Sequence, residues 1–269
     1  SWEGEELERV SETRRRRVMM DGFGRTMSYE EETTENNNPA TWVKRTTDEL
    51  SYTVDGNMAA SHETTENALG VQGEVRRTEM LYDQQNRLES YGMETRNTAE
   101  GSTTGMAARR TGIGYNGLGD ATKYVEEQVK RGNTAVEQIE WKGSYGVLGL
   151  VGRSEQVTRR TGELIAKGET RRLDVTERTR TEGMKYTRDG SNLREYQEEL
   201  RSTASPEMVQ RTRVSGATYD AYGRLGNYTQ TEERVTAGAV KGDGVVDEEK
   251  AAYHTVTETM RTGATFGAG

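Results

Sequence analysis

The stretch ATYDAYGRLGNYTQTEE, residues 217–233, contains a short pattern that recurs along the whole chain. A tyrosine is followed four residues later by a glycine, then directly by an arginine, and a second tyrosine comes further on. Tyr and Thr favour strands, whereas Gly and Asn tolerate the left-handed backbone conformation that tight turns require. The pattern therefore predicts a strand, a hairpin turn and a returning neighbour strand.

The turn position of this pattern returns every 30 to 41 residues, which indicates a repeat architecture. The predicted turn residues are Gly24, Gly56, Asn86, Gly119, Gly149, Gly190 and Gly223. Each copy contains two Thr- and Tyr-rich runs separated by a more variable segment, so each copy predicts one β-hairpin. We expect an all-β protein, an antiparallel meander of about seven β-hairpin repeats of ~32 residues.

The low apolar content shapes this expectation further. Only 31% of the residues are hydrophobic and 30% are charged, so both faces of the sheet are expected to be largely polar. A sheet with two polar faces is expected to form an extended sheet, a hollow shell or a tube rather than a compact sandwich, whose two sheets pack apolar faces together. We treat residues 1–269 as a single repeat array, and as a segment of a longer one, because both ends fall in the middle of a repeat.

Composition also restricts the function. The chain carries 45 acidic against 37 basic residues, a net charge of −8, which argues against a dedicated nucleic-acid binder. It has no cysteine and only two histidines, so disulfides, thiolate sites and imidazole metal clusters are not expected. No stretch approaches the roughly 18 apolar residues of a membrane-spanning helix, so we predict no membrane span.

Charge differs between the two strands of a copy. The strand that leaves the turn, here called the outgoing strand, carries Glu31, Glu63, Glu126, Glu198 and Glu232. The strand that leads back to the next turn, the returning strand, carries Arg45, Arg76, Arg77, Arg109, Arg110 and Arg211. In an antiparallel meander these strands are neighbours, and each facing pair of opposite charges contributes roughly 0.2–1 kcal/mol. The outgoing strands also share a tyrosine, which predicts a structural ladder of Tyr29, Tyr91, Tyr124, Tyr196 and Tyr228.

The segments YDAYGRLGNY (219–228) and YDQQNRLESY (82–91) resemble the YD repeats of Rhs proteins, teneurins and wall-associated surface proteins. Similar units occur in very large bacterial surface proteins, and the resemblance extends over roughly residues 18–269. It implies β-hairpins joined into a long sheet that spirals into a hollow shell, which in some members encloses a toxin. The units of this chain are longer than is usual for that family, and no toxin domain or protease segment that ends the shell is visible.

Several motifs have a functional and a structural interpretation, and we favour the structural one in each case. Gly112, Gly114 and Gly117 form a literal G-x-G-x-x-G, but they fall on the hairpin turn of the fourth copy, where no helix is expected to follow. Arg14–Arg17 could form a polyanion-binding patch or a cleavage site, but they occupy the position of a returning strand, so we favour a solvated face or a ladder that pairs with glutamates.

Three further candidates are treated in the same way. The acidic group of Asp243, Asp247, Glu248 and Glu249 lacks the spacing of a calcium loop. His62 and His254 have no catalytic partners in the sequence, and no pair of carboxylates stands out as a glycosidase pair. Asn227 begins a glycosylation sequon that also fits as ordinary repeat sequence.

The sequence thus predicts no enzymatic activity, no catalytic residues, no metal and no cofactor. We expect a structural protein of the cell surface or extracellular space, such as a filament, sheath, stalk or shell wall. Its partners would be copies of itself, or adjacent segments of the same polypeptide, joined through β-strands. Two alternatives stay open: a shell that encloses a toxin or other cargo polypeptide, and an adhesin surface that binds carbohydrate through exposed tyrosines.

Overall fold

The computed structural model of the protein describes residues 11–35, 38–99, 102–130, 135–146, 149–166, 169–220, 224–240, 246–247 and 250–262. Fifteen strands lie within these ranges: β1 Ser11–Met20, β2 Thr26–Glu35, β3 Asn38–Tyr52, β4 Met58–Asn67, β5 Gln72–Tyr82, β6 Leu88–Ala99, β7 Ser102–Tyr115, β8 Ala121–Lys130, β9 Val136–Tyr145, β10 Val151–Ala166, β11 Glu169–Tyr186, β12 Leu193–Ser202, β13 Ser205–Ser215, β14 Tyr228–Thr236 and β15 His254–Arg261. One short 3₁₀ helix, Ala237–Ala239, follows β14.

The strands follow one another in the sheet in chain order, from β1 to β15, as an antiparallel meander. The order is open, with β1 and β15 as its two end strands. The predicted all-β meander is therefore confirmed. The strands vary in length from 8 residues in β15 to 18 residues in β11.

The chain divides into two compact units, each of which is a run of neighbouring strands. The first unit comprises Ser1–Gly112 and Glu127–Thr134 and contains β1–β6. The second comprises Ile113–Glu126 and Ala135–Gly269 and contains β9–β15. Residues of β7 and β8 are divided between the two units.

Burial of apolar side chains is sparse in both units. Among the described residues, the buried apolar side chains are Leu50, Ala108, Val209, Ala217, Val235 and Ala239. Three of them, Val209, Val235 and Ala239, form one cluster in the second unit, against which Val240, Val246 and Ala251 pack. This cluster is small, so the burial of apolar surface contributes less here than in a compact domain of similar length.

Six of the turns are preceded by a residue with positive φ, which lies three positions before the tyrosine or methionine that leads into the turn; we call it the bulge residue. The bulge residues are Arg17, Glu49, Glu79, Gly112, Gly183 and Gly216, with φ between 51° and 66°, and β9, which ends at Tyr145, has none at this position. The strand register shifts at the same place in β1, β3, β5 and β11. The left-handed region suits glycine, so Arg17, Glu49 and Glu79 hold an unfavourable backbone conformation that Gly183 adopts freely.

We predict that the Glu79→Gly variant is more stable than the parent by about 0.5–1 kcal/mol, because glycine relieves the positive φ. The ion pair of Glu79 with Arg109 is more than half exposed on both sides, so its loss costs little. The reverse change, Gly183→Ala, is expected to destabilise by about 1 kcal/mol. Chemical denaturation followed by circular dichroism measures both effects.

The control for this prediction is Glu89→Gly in β6, where the backbone has no positive φ. Glycine in a strand interior costs conformational entropy, so this variant should be less stable than the parent. Equal effects of Glu79→Gly and Glu89→Gly would show that the bulge conformation stores no strain.

Candidate functional site: the repeated turn and its ion-pair rows

The hairpin turn of each repeat is closed by the same two backbone hydrogen bonds. In the first copy, the amide of Asp21 donates to the carbonyl of Arg25 (2.9 Å), and the amide of Gly24 donates to the carbonyl of Asp21 (3.0 Å). The third residue of the loop has positive φ, which is the geometry of a type I turn followed by a bulge residue.

The same turn recurs at the other described positions. Positive φ is found at Gly24, Gly56, Asn86, Gly119, Gly149 and Gly190, between 58° and 92°. The turn at Gly190 has one additional residue, because Thr187 pairs with Asn192 rather than with its fourth neighbour. Gly223 lies outside the described residues, although the amide of Asp220 donates to the carbonyl of Arg224 on either side of it.

A side-chain oxygen at the first turn position holds the loop together. In Asp83, one carboxylate oxygen accepts hydrogen bonds from the amides of Gln85 (2.8 Å) and Arg87 (2.9 Å), and the other binds Nε of Arg87 (2.8 Å). Asp21 and Asn116 bind their own loops in the same way. Because the amide of Arg87 donates to it and the guanidinium lies against it, the pKa of Asp83 lies below its ordinary value.

The tyrosine that precedes each turn connects its hairpin to the previous one. The hydroxyl of Tyr82 donates to the carbonyl of Met58, the first residue of the preceding outgoing strand, over 2.8 Å. Equivalent bonds join Tyr52 to Thr26, Tyr145 to Ala121, Tyr186 to Val151 and Tyr219 to Leu193, at 2.6 to 3.0 Å. Burial raises the pKa of Tyr82 above its ordinary value.

In the predicted tyrosine ladder of the outgoing strands, Tyr29 is not aligned with Tyr91, and Tyr196 is not aligned with Tyr228. The row of paired residues that starts at Tyr29 passes through Thr47, Glu63 and Val75 and reaches β6 at Thr95, four residues from Tyr91. Tyr196 is paired with Val214 and, through it, with Gln230 rather than Tyr228. The rows of paired residues therefore do not follow the equivalent sequence positions of neighbouring repeats, so these tyrosines do not stack.

Three of these tyrosine rings are in contact with other side chains instead. The guanidinium of Arg15 lies 4.3 Å from the ring centre of Tyr29, and that of Arg110 lies 5.7 Å from the ring of Tyr91. Tyr124 is stacked on Trp141 with ring centres 5.3 Å apart. These contacts stabilise the sheet surface and occupy ring faces that a sugar would need.

Arginines on several strands are held between two carboxylates, one from each neighbouring strand. Arg211 in β13 lies 3.2 Å from Glu199 in β12 and 3.3 Å from Glu233 in β14. Arg160 in β10 lies 2.7 Å from Glu137 in β9 and 2.9 Å from Glu177 in β11. Such a three-strand group ties two outer strands to the one between them.

A third such group lies in the first unit, where Arg45 contacts Glu31 at 4.0 Å and Glu63 at 3.6 Å. Arg45 thus contacts two of the glutamates noted on the outgoing strands, whereas the carboxylates beside Arg211 belong to Glu199 and Glu233. Glu198 and Glu232 both pair with Thr212 and point to the other face of the sheet, because side chains alternate along a strand. Arg211 is buried, and its neighbours Glu199 and Glu233 are the residues that sequence reasoning missed.

Both histidines take part in similar groups. Nδ1 of His62 lies 2.7 Å from Asp48, and its Nε2 lies 3.1 Å from Glu74. Nε2 of His254 lies 2.9 Å from Glu233, the carboxylate that Arg211 also contacts. Their ring nitrogens are directed at carboxylates of neighbouring strands, which is a structural arrangement.

The remaining motifs also have structural positions. Gly112 forms the bulge of β7, Gly114 lies in the same strand, and Gly117 lies in the turn to β8, so a strand follows where a dinucleotide site needs a helix. Arg14, Arg15 and Arg16 in β1 are paired in register with Glu32, Glu31 and Glu30.

The acidic group near the end of the chain lies mostly outside the described residues, which omit Asp243, Glu248 and Glu249. Asp247 is described, and its carboxylate lies 3.3 Å from the ammonium of Lys250. Asn227 is exposed, and its backbone amide donates to the hydroxyl of Thr218. Within the described ranges, no three His, Asp or Glu side chains are grouped to hold a metal ion.

Open grooves lie on the surface of both units. A groove of about 440 Å³ in the first unit is lined by polar side chains that include Lys44, Gln72, Glu74 and Arg96. A groove of about 630 Å³ in the second unit combines Leu200, Met208 and Tyr253 with Glu177 and Arg234. Neither brings together a nucleophile and a base in hydrogen-bonding geometry among the residues that the structure describes.

Comparison with known proteins adds no further assignment. The chain matches no protein-family model, no curated protein and no solved structure.

We predict that Tyr82→Phe destabilises the protein by about 1 kcal/mol, because the carbonyl of Met58 loses its half-buried donor. Tyr91→Phe is the matched control, since no hydrogen bond of the Tyr91 hydroxyl is found within the described ranges, and it should change stability by less than about 0.5 kcal/mol. Urea unfolding of the two variants measures the difference. Equal losses would contradict the role of the turn tyrosine.

Acid should destabilise the protein through the turn aspartates. The pKa values of Asp21 and Asp83 are lowered by the loop amides, and hydrogen bonds from Thr187 and Ser191 lower the pKa of Asp189 to about 2. A carboxylate whose pKa is lower in the folded state stabilises the fold above its unfolded pKa and loses this contribution as the pH falls through the folded value. We expect stability to decline between about pH 4 and pH 2.

The variant Asp83→Asn keeps the loop hydrogen bonds, as Asn116 does, but does not titrate, so it should show a shallower loss of stability in this window. Asp55→Asn is the control. In its turn the loop amide of Asn57 donates to the hydroxyl of Thr53, and no hydrogen bond of the Asp55 carboxylate is found among the described residues. Denaturation midpoints measured from pH 5 to about pH 2.5 give the slopes. Identical slopes for Asp83→Asn and the parent would show that the turn carboxylate is not coupled to folding.

Proposed function

We propose that the protein is a structural repeat protein of the cell surface or extracellular space, which associates with copies of itself or with adjacent repeats through its β-strands. The observation that supports this most directly is the hydroxyl of Tyr82 bound to the carbonyl of Met58, together with its equivalents at Tyr52, Tyr145, Tyr186 and Tyr219. Each hairpin is completed by the one before it, and this nearest-neighbour dependence is typical of arrays that are extended by adding units.

The sheet surfaces support the same role. Strands are joined by turns and by ion-pair groups such as Glu199, Arg211 and Glu233, and little apolar surface is buried. A sheet of this kind needs no second layer, so it can serve as a wall or a fibre. Within the described ranges no helix has the length and apolar character needed to cross a membrane.

The end strands provide surfaces for association. All ten residues of β1 are exposed, as are seven of the eight residues of β15. In the described part of the chain, β1 is paired only with β2 and β15 only with β14. An end strand with an open edge is a template for another strand. Two exposed apolar residues of β15, Val256 and Met260, add contact area at this edge.

We expect the protein to form oligomers or filaments whose size increases with concentration in sedimentation velocity experiments. Negative-stain electron microscopy should show fibres or ribbons. Val256→Lys should weaken association by at least about tenfold, because a lysine on an end strand disfavours strand addition. Val43→Lys is the control, since Val43 is also exposed but lies in β3, between two neighbours.

Closed capsules of fixed size would contradict a filament and favour a shell that encloses cargo. A monomer at every concentration, with native circular dichroism, would contradict self-association altogether. Loss of association in Val43→Lys and Val256→Lys alike would show that surface charge, rather than the end strand, governs assembly.

A further inference from the structure

The exposed edge of β1 differs from the interior strands in the way its arginines are partnered. In the interior, Arg45, Arg160 and Arg211 each lie between two carboxylates, one on each neighbouring strand. These groups occur in both units, so a cation on one strand with an acid on each side is a recurring arrangement of this sheet.

In β1, two arginines have a carboxylate partner on the one neighbouring strand, β2. Arg15 lies 2.6 Å from Glu31 of β2, and Arg17 lies 2.7 Å from Glu30 of the same strand. Arg14 contacts Glu12 of its own strand at 2.8 Å. For Arg16, no carboxylate within ion-pair distance is found in the described part of the chain. The exposed fraction of the side chain is 62% for Arg14, 53% for Arg15 and 76% for Arg17.

We propose that the open edge of β1 binds an acidic β-strand of the outgoing type, supplied by another repeat segment, which provides the second carboxylate of each group. The proposal rests on the proposed function, because it names the chemistry of the strand that is added. The strand β2 has the required character, with Glu30, Glu31 and Glu32 in succession. Side chains alternate along a strand, so Arg14 and Arg16 lie on one face of the sheet and Arg15 lies on the other. Successive glutamates on the added strand alternate in the same way and therefore supply acids to both faces.

Other strands of the chain fit this edge less well. A second β1 would place Arg14–Arg17 opposite the same arginines, and like charges directly opposite one another are destabilising. The other end strand, β15, has a single acidic residue, Glu258, and therefore cannot complete several groups at once. The charge pattern of β1 thus selects a glutamate-rich strand over both end strands.

The test measures binding of a fluorescent synthetic peptide with the sequence of residues 26–35 to the full chain by anisotropy. We expect saturable binding that weakens as salt is raised, because the contacts are exposed ion pairs. A peptide with Glu30, Glu31 and Glu32 changed to glutamine should bind about tenfold more weakly. The protein variant Arg16→Gln should also weaken binding, by about threefold.

Arg213→Gln is the matched control for the protein variant, since Arg213 is an exposed arginine on the interior strand β13 and its removal changes the net charge equally. Equal binding of the glutamate and glutamine peptides would overturn the proposal, as would equal effects of Arg16→Gln and Arg213→Gln. No peptide binding by a chain that still self-associates would overturn it and leave the proposed function intact. Specific peptide binding by a strictly monomeric chain would support it and contradict the proposed self-association.

Discussion

The array depends on a hydrogen bond that recurs before five of the turns, from a tyrosine hydroxyl to the backbone carbonyl of the previous outgoing strand. Tyr52, Tyr82, Tyr145, Tyr186 and Tyr219 all form it, and in each case the acceptor is the first residue of a neighbouring outgoing strand. A turn and two strands alone are marginal in water, since an isolated hairpin buries little surface. The tyrosine gives each hairpin a partly buried bond that exists only when its neighbour is in place, which makes the hairpins mutually dependent.

Electrostatic contacts between strands add to this dependence. A single exposed ion pair contributes about 0–1 kcal/mol, which is too little to hold a strand. The groups around Arg211 and Arg160 differ because one cation contacts acids on both sides, and Arg211 is itself buried. Burial opposes ionisation of Glu199, yet contacts with Arg201 and Arg211 still lower its pKa, so the carboxylate remains charged within the network. A protein with so few buried apolar residues therefore relies on repeated polar contacts between strands.

The bulges have a different physical basis, and the sequence reveals only some of them. A residue at positive φ three positions before the end of a strand adds an unpaired position and increases the local twist. Gly112, Gly183 and Gly216 mark this position in three copies, and their common spacing from the following tyrosine could have revealed it. Arg17, Glu49 and Glu79 occupy it elsewhere, and nothing in their residue type suggests a left-handed backbone. The pairing returns to the same register beyond each bulge, so the misalignment of Tyr29 and Tyr91 comes from the register of the whole strands, in which the row through Tyr29 reaches β6 at Thr95.

The sequence by itself determined the fold class and the positions of the described turns, because both depend on local properties. A tolerated positive φ at Gly24 or Asn86, and a side-chain acceptor such as Asp83 three residues before it, act within a few residues of one another. Only the tertiary structure decided which glutamates meet Arg211, which carbonyl accepts the hydroxyl of Tyr82, and which tyrosines are covered. These contacts depend on the register between strands far apart in sequence, where a shift of one residue moves every side chain to the opposite face.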